Sequence, residues 1–177
     1  MKLETRRALD AQQWSDGRQA DAQAAVVLRG HPDLPLEAHD TLVARYRRAA
    51  DAPCRVAASP GRGQGLFADG PIPAGTRVGE YCGVLVEPRE PLSPYLMTYH
   101  PYDVSLPLAI DAGDGGNHTR FINHREPPNV APWWLLWDFQ WHVVIVALCS
   151  VRAGDELFLD YGRGFLERRK AFTGTDS

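Results

Sequence analysis

Residues 120–124 read Arg120-Phe121-Ile122-Asn123-His124, with Pro128-Asn129 close behind; residues 154–162 read Gly154-Asp155-Glu156-Leu157-Phe158-Leu159-Asp160-Tyr161-Gly162. The second stretch is a short apolar run closed by glycine, the signature of a strand ending in a turn. The same texture extends outward from it. CRVAAS (54–59), GLFA (65–68), RVGEYCGVLV (77–86), SLPLAIDA (105–112), WHVVIVALCSV (141–151) and ELFLDYG (156–162) are apolar runs punctuated by glycine and proline. Pro71, Pro73-Ala74-Gly75 and Arg152-Ala153-Gly154 supply turns between them. No GxGxxG opens a helix, which argues against a dinucleotide-binding doubly wound sheet. The reading is a mostly β fold of small sheets with some α.

Upstream the composition changes. Residues 1–53 are rich in Ala, Arg, Asp and Gln, with glycine only at Gly17 and Gly30. Leu36, Leu42, Val43, Tyr46 and Ala50 recur at helical spacing behind Pro35, which predicts a helix over 36–50. Further helices are expected over 4–14 and 21–28. The division that follows is a helical N-terminal extension (1–53), a β domain (54–165) and a C-terminal tail (166–177). The apolar stripe of the extension is expected to pack on the β domain or on a partner chain.

The whole-chain numbers narrow the function. The 177 residues are 44% apolar and 23% charged, an ordinary globular composition with enough chain for a buried core. Nineteen basic residues against 22 acidic give a net charge of −3, which argues against direct nucleic-acid binding. Cys54, Cys82 and Cys149 are scattered, so neither a disulfide framework nor a zinc cluster is expected, and no metal is assigned. MKLETRRALDAQQW (1–14) has no apolar core of a secretory signal, and the longest uncharged run, Phe139–Val151, is too short to span a bilayer. A soluble intracellular protein, cytoplasmic or nuclear, is expected.

Four segments, taken together, closely resemble the SET-domain protein-lysine methyltransferases. They are Arg62-Gly63-Gln64-Gly65, Glu80-Tyr81-Cys82-Gly83, the stretch from Ile110-Asp111 through Gly116-Asn117 and RFINH to Pro128-Asn129, and GDEL followed by Asp160-Tyr161-Gly162. The resemblance covers about residues 55–162. It implies a β-clip-like arrangement of small curved sheets with a C-terminal pseudoknot, in which the ELFLDYG segment passes through the loop around RFINH. It also implies S-adenosylmethionine as methyl donor and a protein substrate, histone included, that presents a lysine.

Residue roles follow from the same resemblance. Tyr161 matches the catalytic tyrosine, which also contacts the donor, its phenol near the sulfonium methyl and the substrate nitrogen. Asn123 and His124 match the pair that contacts the donor, Asn123 at the methionine part and His124 at the adenine through its backbone. Arg62, Gly63 and Gln64 match a loop that touches the donor through main-chain atoms, and Gly65 is read equally as a turn residue. Tyr95 matches a donor-contacting tyrosine, with Tyr99 and Tyr102 as near neighbours in sequence. Tyr81 matches a tyrosine that lines the lysine channel, Phe121 is read either as facing the same channel or, in preference, as core packing, and Leu159 stands at the position that helps to set the number of methyl groups added. Arg120 is read as a structural partner in the RFINH loop.

The chemistry agrees with these residue types. A lysine ammonium ordinarily titrates near pH 10.4, so a neutral amine at about pH 7 costs about 4–5 kcal/mol. Carbonyls and phenols steer a cation without offering a strong competing base, and an aromatic wall suits the aliphatic stem of lysine. Trp133, Trp134, Trp137 and Trp141 read either as a core plug or as a partner surface.

The chain departs from many relatives after His124, where Arg125-Glu126-Pro127 replaces a cysteine-containing step, and no cysteine follows Cys149. A zinc-bearing post-SET element is therefore not expected. The channel would be closed by residues 164–172, by the N-terminal helix or by another protomer, and oligomeric state stays open. Two other functions fit the same motifs: methylation of a small-molecule amine, and an inactive SET module that only binds.

Overall fold

The computed structural model describes residues 39–89, 92–99 and 108–162. The helices expected over 4–14 and 21–28, the tail 166–177 and Tyr102 lie outside these residues. Among the described residues are one α-helix, a 3₁₀ turn and ten strands in four small sheets. No helix among them is long and apolar enough to cross a membrane.

Helix α1 runs His39–Tyr46. It stops four residues short of the expected Ala50, and residues 36–38 lie outside the described range. Its end has a physical cause. The Tyr46 carbonyl oxygen accepts from Arg77 Nη1 at 2.7 Å, and Arg77 Nε pairs with Asp51 at 2.6 Å. Those contacts pull the chain after Tyr46 onto the sheet and out of the helical path. Leu42 and Tyr46, one turn apart, are both buried.

Strands β1 (Cys54–Ser59) and β2 (Gly63–Ala68) form an antiparallel hairpin. Strands β3 (Arg77–Glu80), β8 (Val130–Trp137) and β9 (Gln140–Ala147) form a three-stranded sheet with β9 in the middle. Both faces of β9 are buried, so its sequence reads as a continuous apolar run. Val143, Ile145 and Ala147 face the main core, with Leu66, Val78, Ile122 and Leu157. Val144 and Val146 face a second core, built with Leu42, Tyr46, Trp133 and Trp137. Part of the N-terminal region thus packs on the β domain, one of the two options its apolar stripe allowed.

Strand β8 is not among the strands expected from the sequence. Pro132 interrupts it, and proline is tolerated there because β8 is an edge strand. The tryptophans then separate. Trp133, Trp137 and Trp141 are buried, Trp133 edge-on to Tyr46 at 5.5 Å and Trp137 stacked on His142 at 3.6 Å. Trp134 is half-buried and donates its indole N–H to the Thr98 carbonyl at 2.9 Å.

The run 77–86 is two strands, not one. Strand β4 (Val84–Val86) belongs to a separate sheet with β5 (Leu96–Thr98) and β6 (Ala109–Asp111). The break lies at Tyr81-Cys82-Gly83. A Cβ on Gly83 would collide with the Asp111 carbonyl, so only glycine lets the chain cross there.

The last sheet decides the site. Strands β7 (Asn123–His124) and β10 (Phe158–Leu159) pair in parallel, Phe158 opposite Asn123 and Leu159 opposite His124. Asn129 clamps the later strand. Its Oδ1 accepts from Phe158 N at 2.7 Å, and its Nδ2 donates to the Glu156 carbonyl at 2.9 Å. On the other side, Leu157 N donates to Leu66 O and Gly154 N to Ala68 O, both at 2.8 Å. Residues 154–159 are therefore gripped between β2 and the segment 123–129, the juxtaposition that the pseudoknot expectation requires.

Candidate active site

The loop joining β1 and β2 is built on glycine. Gly61 and Gly63 have φ of +74° and +81°, in the left-handed region that other residues avoid. Nothing lies within 4 Å of where a Cβ on Gly63 would stand, so the main chain is open to a ligand there. Gly65 is the opposite case: a Cβ would collide with the Glu156 carboxylate. Arg62 extends from this loop with its guanidinium 5.5 Å from the centre of the Phe158 ring, and Arg125 approaches the same ring at 4.0 Å.

Asn123 and His124 are brought to this loop by the β7–β10 pairing. Asn123 Nδ2 donates to the Gln64 carbonyl at 2.9 Å and to Glu156 Oε1 at 2.8 Å. The Ser59 hydroxyl donates to Glu156 Oε2 at 3.0 Å. His124 Nδ1 accepts from the Tyr161 backbone N–H at 3.2 Å, and the two rings lie 5.5 Å apart. His124, Glu126 and Asp160 bring three ligand-type atoms within 4.8 Å of one another, two of them on exposed carboxylates.

Two tyrosines form the next layer. The Tyr161 hydroxyl donates to the Ile122 carbonyl at 2.6 Å. The Tyr81 hydroxyl donates to the Tyr95 carbonyl at 2.8 Å. Burial pushes the Tyr81 phenol well above its ordinary range, Tyr161, Asp111 and Tyr95 reinforce the shift, and Arg120 opposes it. Tyr81 is therefore a neutral phenol that keeps its proton on a carbonyl. Its lone pairs are the acceptor capacity it has left.

Arg120 holds this layer in place. Its Nη1 donates to the carbonyls of Ala112 and Gly113, and its guanidinium lies 4.7 Å from the Phe121 ring centre and 5.4 Å from that of Tyr95. The expected structural role of Arg120 is what these contacts describe. Asp111 Oδ1 accepts from the Ser93 hydroxyl at 2.7 Å and from Gly113 N at 2.9 Å. A cleft of about 610 Å³ opens alongside, lined by Val86, Pro94, Tyr95, Leu96, Asp111 and Asp114 among others.

The residues singled out in the sequence thus fall into two adjoining groups. Gln64, Asn123, His124 and Tyr161 are linked directly by hydrogen bonds and ring contact. Tyr81, Tyr95 and Phe121 gather around Arg120 and the Tyr95 carbonyl. Leu159 is buried in the main core opposite His124, and its carbonyl accepts from Arg125 N at 3.1 Å. Tyr99 is buried, and its hydroxyl accepts from Trp141 N at 3.1 Å, which ties it to the core. In the sequence, Glu156 and Asn129 stand out only as members of GDEL and PN. Their side-chain partners lie 27 to 97 positions away, and nothing local in the sequence announces them.

The comparisons agree with this geometry. Residues 63–162 match the SET domain. The chain is 36% identical over 110 residues to histone-lysine N-methyltransferase 2B of Homo sapiens and 33% identical over 109 residues to histone-lysine N-methyltransferase NSD3 of Mus musculus. It is 30% identical over 115 residues to histone-lysine N-methyltransferase EZH2 of Chaetomium thermophilum. Each alignment covers 56–58% of this chain but only 4–8% of the longer relative. With the matched span running from the Gly63 loop to the glycine after Tyr161, and the two ends of that span interlocked in the fold, the chain belongs to the SET-domain family.

Proposed function

We propose that this chain methylates the ε-amine of lysine in a protein, using S-adenosylmethionine as donor. The observation that carries the reading is the convergence of the Tyr161 hydroxyl, fixed on the Ile122 carbonyl, with Asn123 and His124. The donor supplies an electrophilic methyl group. The residues suit it: the main chain at Gly63 is open, Gln64 and Asn123 are joined across the loop, and the adjoining His124 offers backbone groups for an adenine edge.

The chain's own groups supply the rest. The phenols of Tyr161 and Tyr81 give their protons to carbonyls, so each would meet a lysine amine as an oxygen acceptor and not as a competing donor. An amine that donates its N–H groups to fixed oxygens keeps its lone pair for attack and is held in one orientation. Tyr81 and Phe121 provide aromatic surface for the lysine stem. The cleft beside Tyr95 joins apolar surface from Val86, Pro94 and Leu96 to the carboxylates of Asp111 and Asp114, with Arg89 paired to Glu87 at its rim, a net acidic lining that suits a peptide flank carrying basic residues.

The test offers isotopically labelled donor and purified protein to a mixture of histones, a cell extract, free lysine and polyamines. The expected result is label on lysine side chains of protein, located by mass spectrometry. Label confined to the small amines would overturn the protein-substrate reading.

A further inference from the structure

We infer that Glu156 is the positioning residue of the donor site: its carboxylate orients the Asn123 amide so that Asn123 Oδ1 is the atom left to accept an ammonium group of the methyl donor. The inference rests on the function proposed above and adds a role that the motif match does not contain.

The orientation of Asn123 is dictated by chemistry. The two groups facing its amide are the Gln64 carbonyl oxygen at 2.9 Å and Glu156 Oε1 at 2.8 Å. Both are acceptors only, and a primary amide has donors at one end and lone pairs at the other. The nitrogen must therefore point toward them; the flipped amide would set oxygen against a carbonyl and a carboxylate. Both Nδ2 hydrogens are then spent. Among the described residues no donor reaches Oδ1. An acceptor left over beside the open main chain at Gly63 matches the ammonium that the methionine portion of the donor carries at neutral pH.

Glu156 is itself immobilised. Its Oε2 accepts from the Ser59 hydroxyl at 3.0 Å, its carbonyl accepts from Asn129 Nδ2, and its backbone bridges to Phe67. Gly65 completes the seat, because any side chain there would occupy the position of the carboxylate. One carboxylate thus ties together β1, β2, β7 and the segment before β10. A charged acceptor makes the stronger hydrogen bond, so the orientation it imposes is firm.

The experiment measures binding calorimetrically on the full chain, with S-adenosylmethionine and with its analogue lacking the α-amino group. The wild type should prefer the amino-bearing ligand by at least about tenfold. Glu156→Ala should lower that preference to within about threefold. Glu156→Gln, which keeps an Oε1 acceptor for Asn123, should retain most of it. Where the alanine variant does not fold, Glu156→Asp serves the same purpose, since one methylene less withdraws the acceptor from Asn123. An alanine or aspartate variant that weakens both ligands by the same factor, or keeps the wild-type preference, overturns the inference, as does a glutamine variant that loses it. Failure of the wild type to bind either ligand overturns the proposed function instead. The positioning claim is then decided by hydrogen exchange at Asn123 Nδ2. Exchange should be slow in the wild type and in Glu156→Gln and fast in the variant that lacks the acceptor; equal rates overturn it.

Discussion

The hydroxyl of Tyr161 and the carbonyl of Ile122 are 39 positions apart in sequence and 2.6 Å apart in space. That bond ties the end of the GDELFLDYG stretch to the residue just before Asn123 and His124. It follows from the parallel pairing of β7 with β10, which sets Leu159 opposite His124 and brings Tyr161 level with the RFINH loop. The backbone bond from Tyr161 N to His124 Nδ1 closes the same junction from the other side. The phenol is therefore oriented by the fold before any substrate arrives.

The packing of α1 gives a stability prediction. Tyr46 is 1% exposed, donates its hydroxyl to the Gly75 carbonyl at 2.8 Å and meets Trp133 edge to face. Tyr46→Ala should cost about 3–5 kcal/mol in chemical denaturation, the usual range for emptying a buried aromatic site. A loss below about 1 kcal/mol would mean that the helix contributes little to the fold of the β domain.

How far the sequence could be read depended on the range of the interactions. Strands β1 and β9 are local apolar runs, and both were legible. Asn123 and Tyr161 were singled out because their flanking motifs are specific, and the fold brings both to the β7–β10 junction. The pairing of β7 with β10 was not accessible to pattern, since each strand is two residues long and the partners are far apart in the chain. The break at Gly83 depends on the approach of Asp111, and the end of α1 at Tyr46 on Arg77. Strand β8 was hidden because Pro132 and its tryptophans do not resemble a strand until the edge position is known. Glu156 was hidden for the same kind of reason, because its role exists only where β2 and β7 meet.

Alkaline pH should weaken the fold in a defined window. Burial, aided by Asp69 and Asp51, pushes the Cys54 thiol from 9.0 up to about 11, and burial raises the Tyr81 phenol above 10.0. Both groups lose protons in the unfolded chain first. The unfolded state therefore binds fewer protons as pH rises, and stability falls. Stability should be intact below pH 9, decline between 9 and 11 through Cys54, and decline further above 10 through Tyr81. Cys54→Ala should flatten the first part and Tyr81→Phe the second. A denaturation midpoint that stays constant across this window in the wild type would contradict the expectation.

Product number should exceed one methyl group. The Leu159 side chain carries no donor or acceptor, and the Tyr81 hydroxyl hydrogen is already given to the Tyr95 carbonyl. If position 159 holds the place that the family resemblance gives it, no hydroxyl there would restrain a methylated amine from turning to present its lone pair again. Time-resolved mass spectrometry on a purified substrate with excess donor should show dimethyl-lysine as a major product. A ladder that halts at monomethyl-lysine after full conversion would refute this and direct attention to Tyr81.

The decisive comparison is between wild type and Tyr161→Phe in single-turnover methyl transfer, with donor affinity measured in parallel. The substitution removes one oxygen and keeps the ring. Wild type should transfer methyl to lysine, and the variant should fall by at least about tenfold, about 1.4 kcal/mol or more of lost transition-state stabilisation. Donor affinity should stay within about twofold, because the Asn123–Gln64–Glu156 contacts are untouched. Transfer at an unchanged rate in Tyr161→Phe would contradict the role given to this phenol, and with it the proposed lysine methylation by this site.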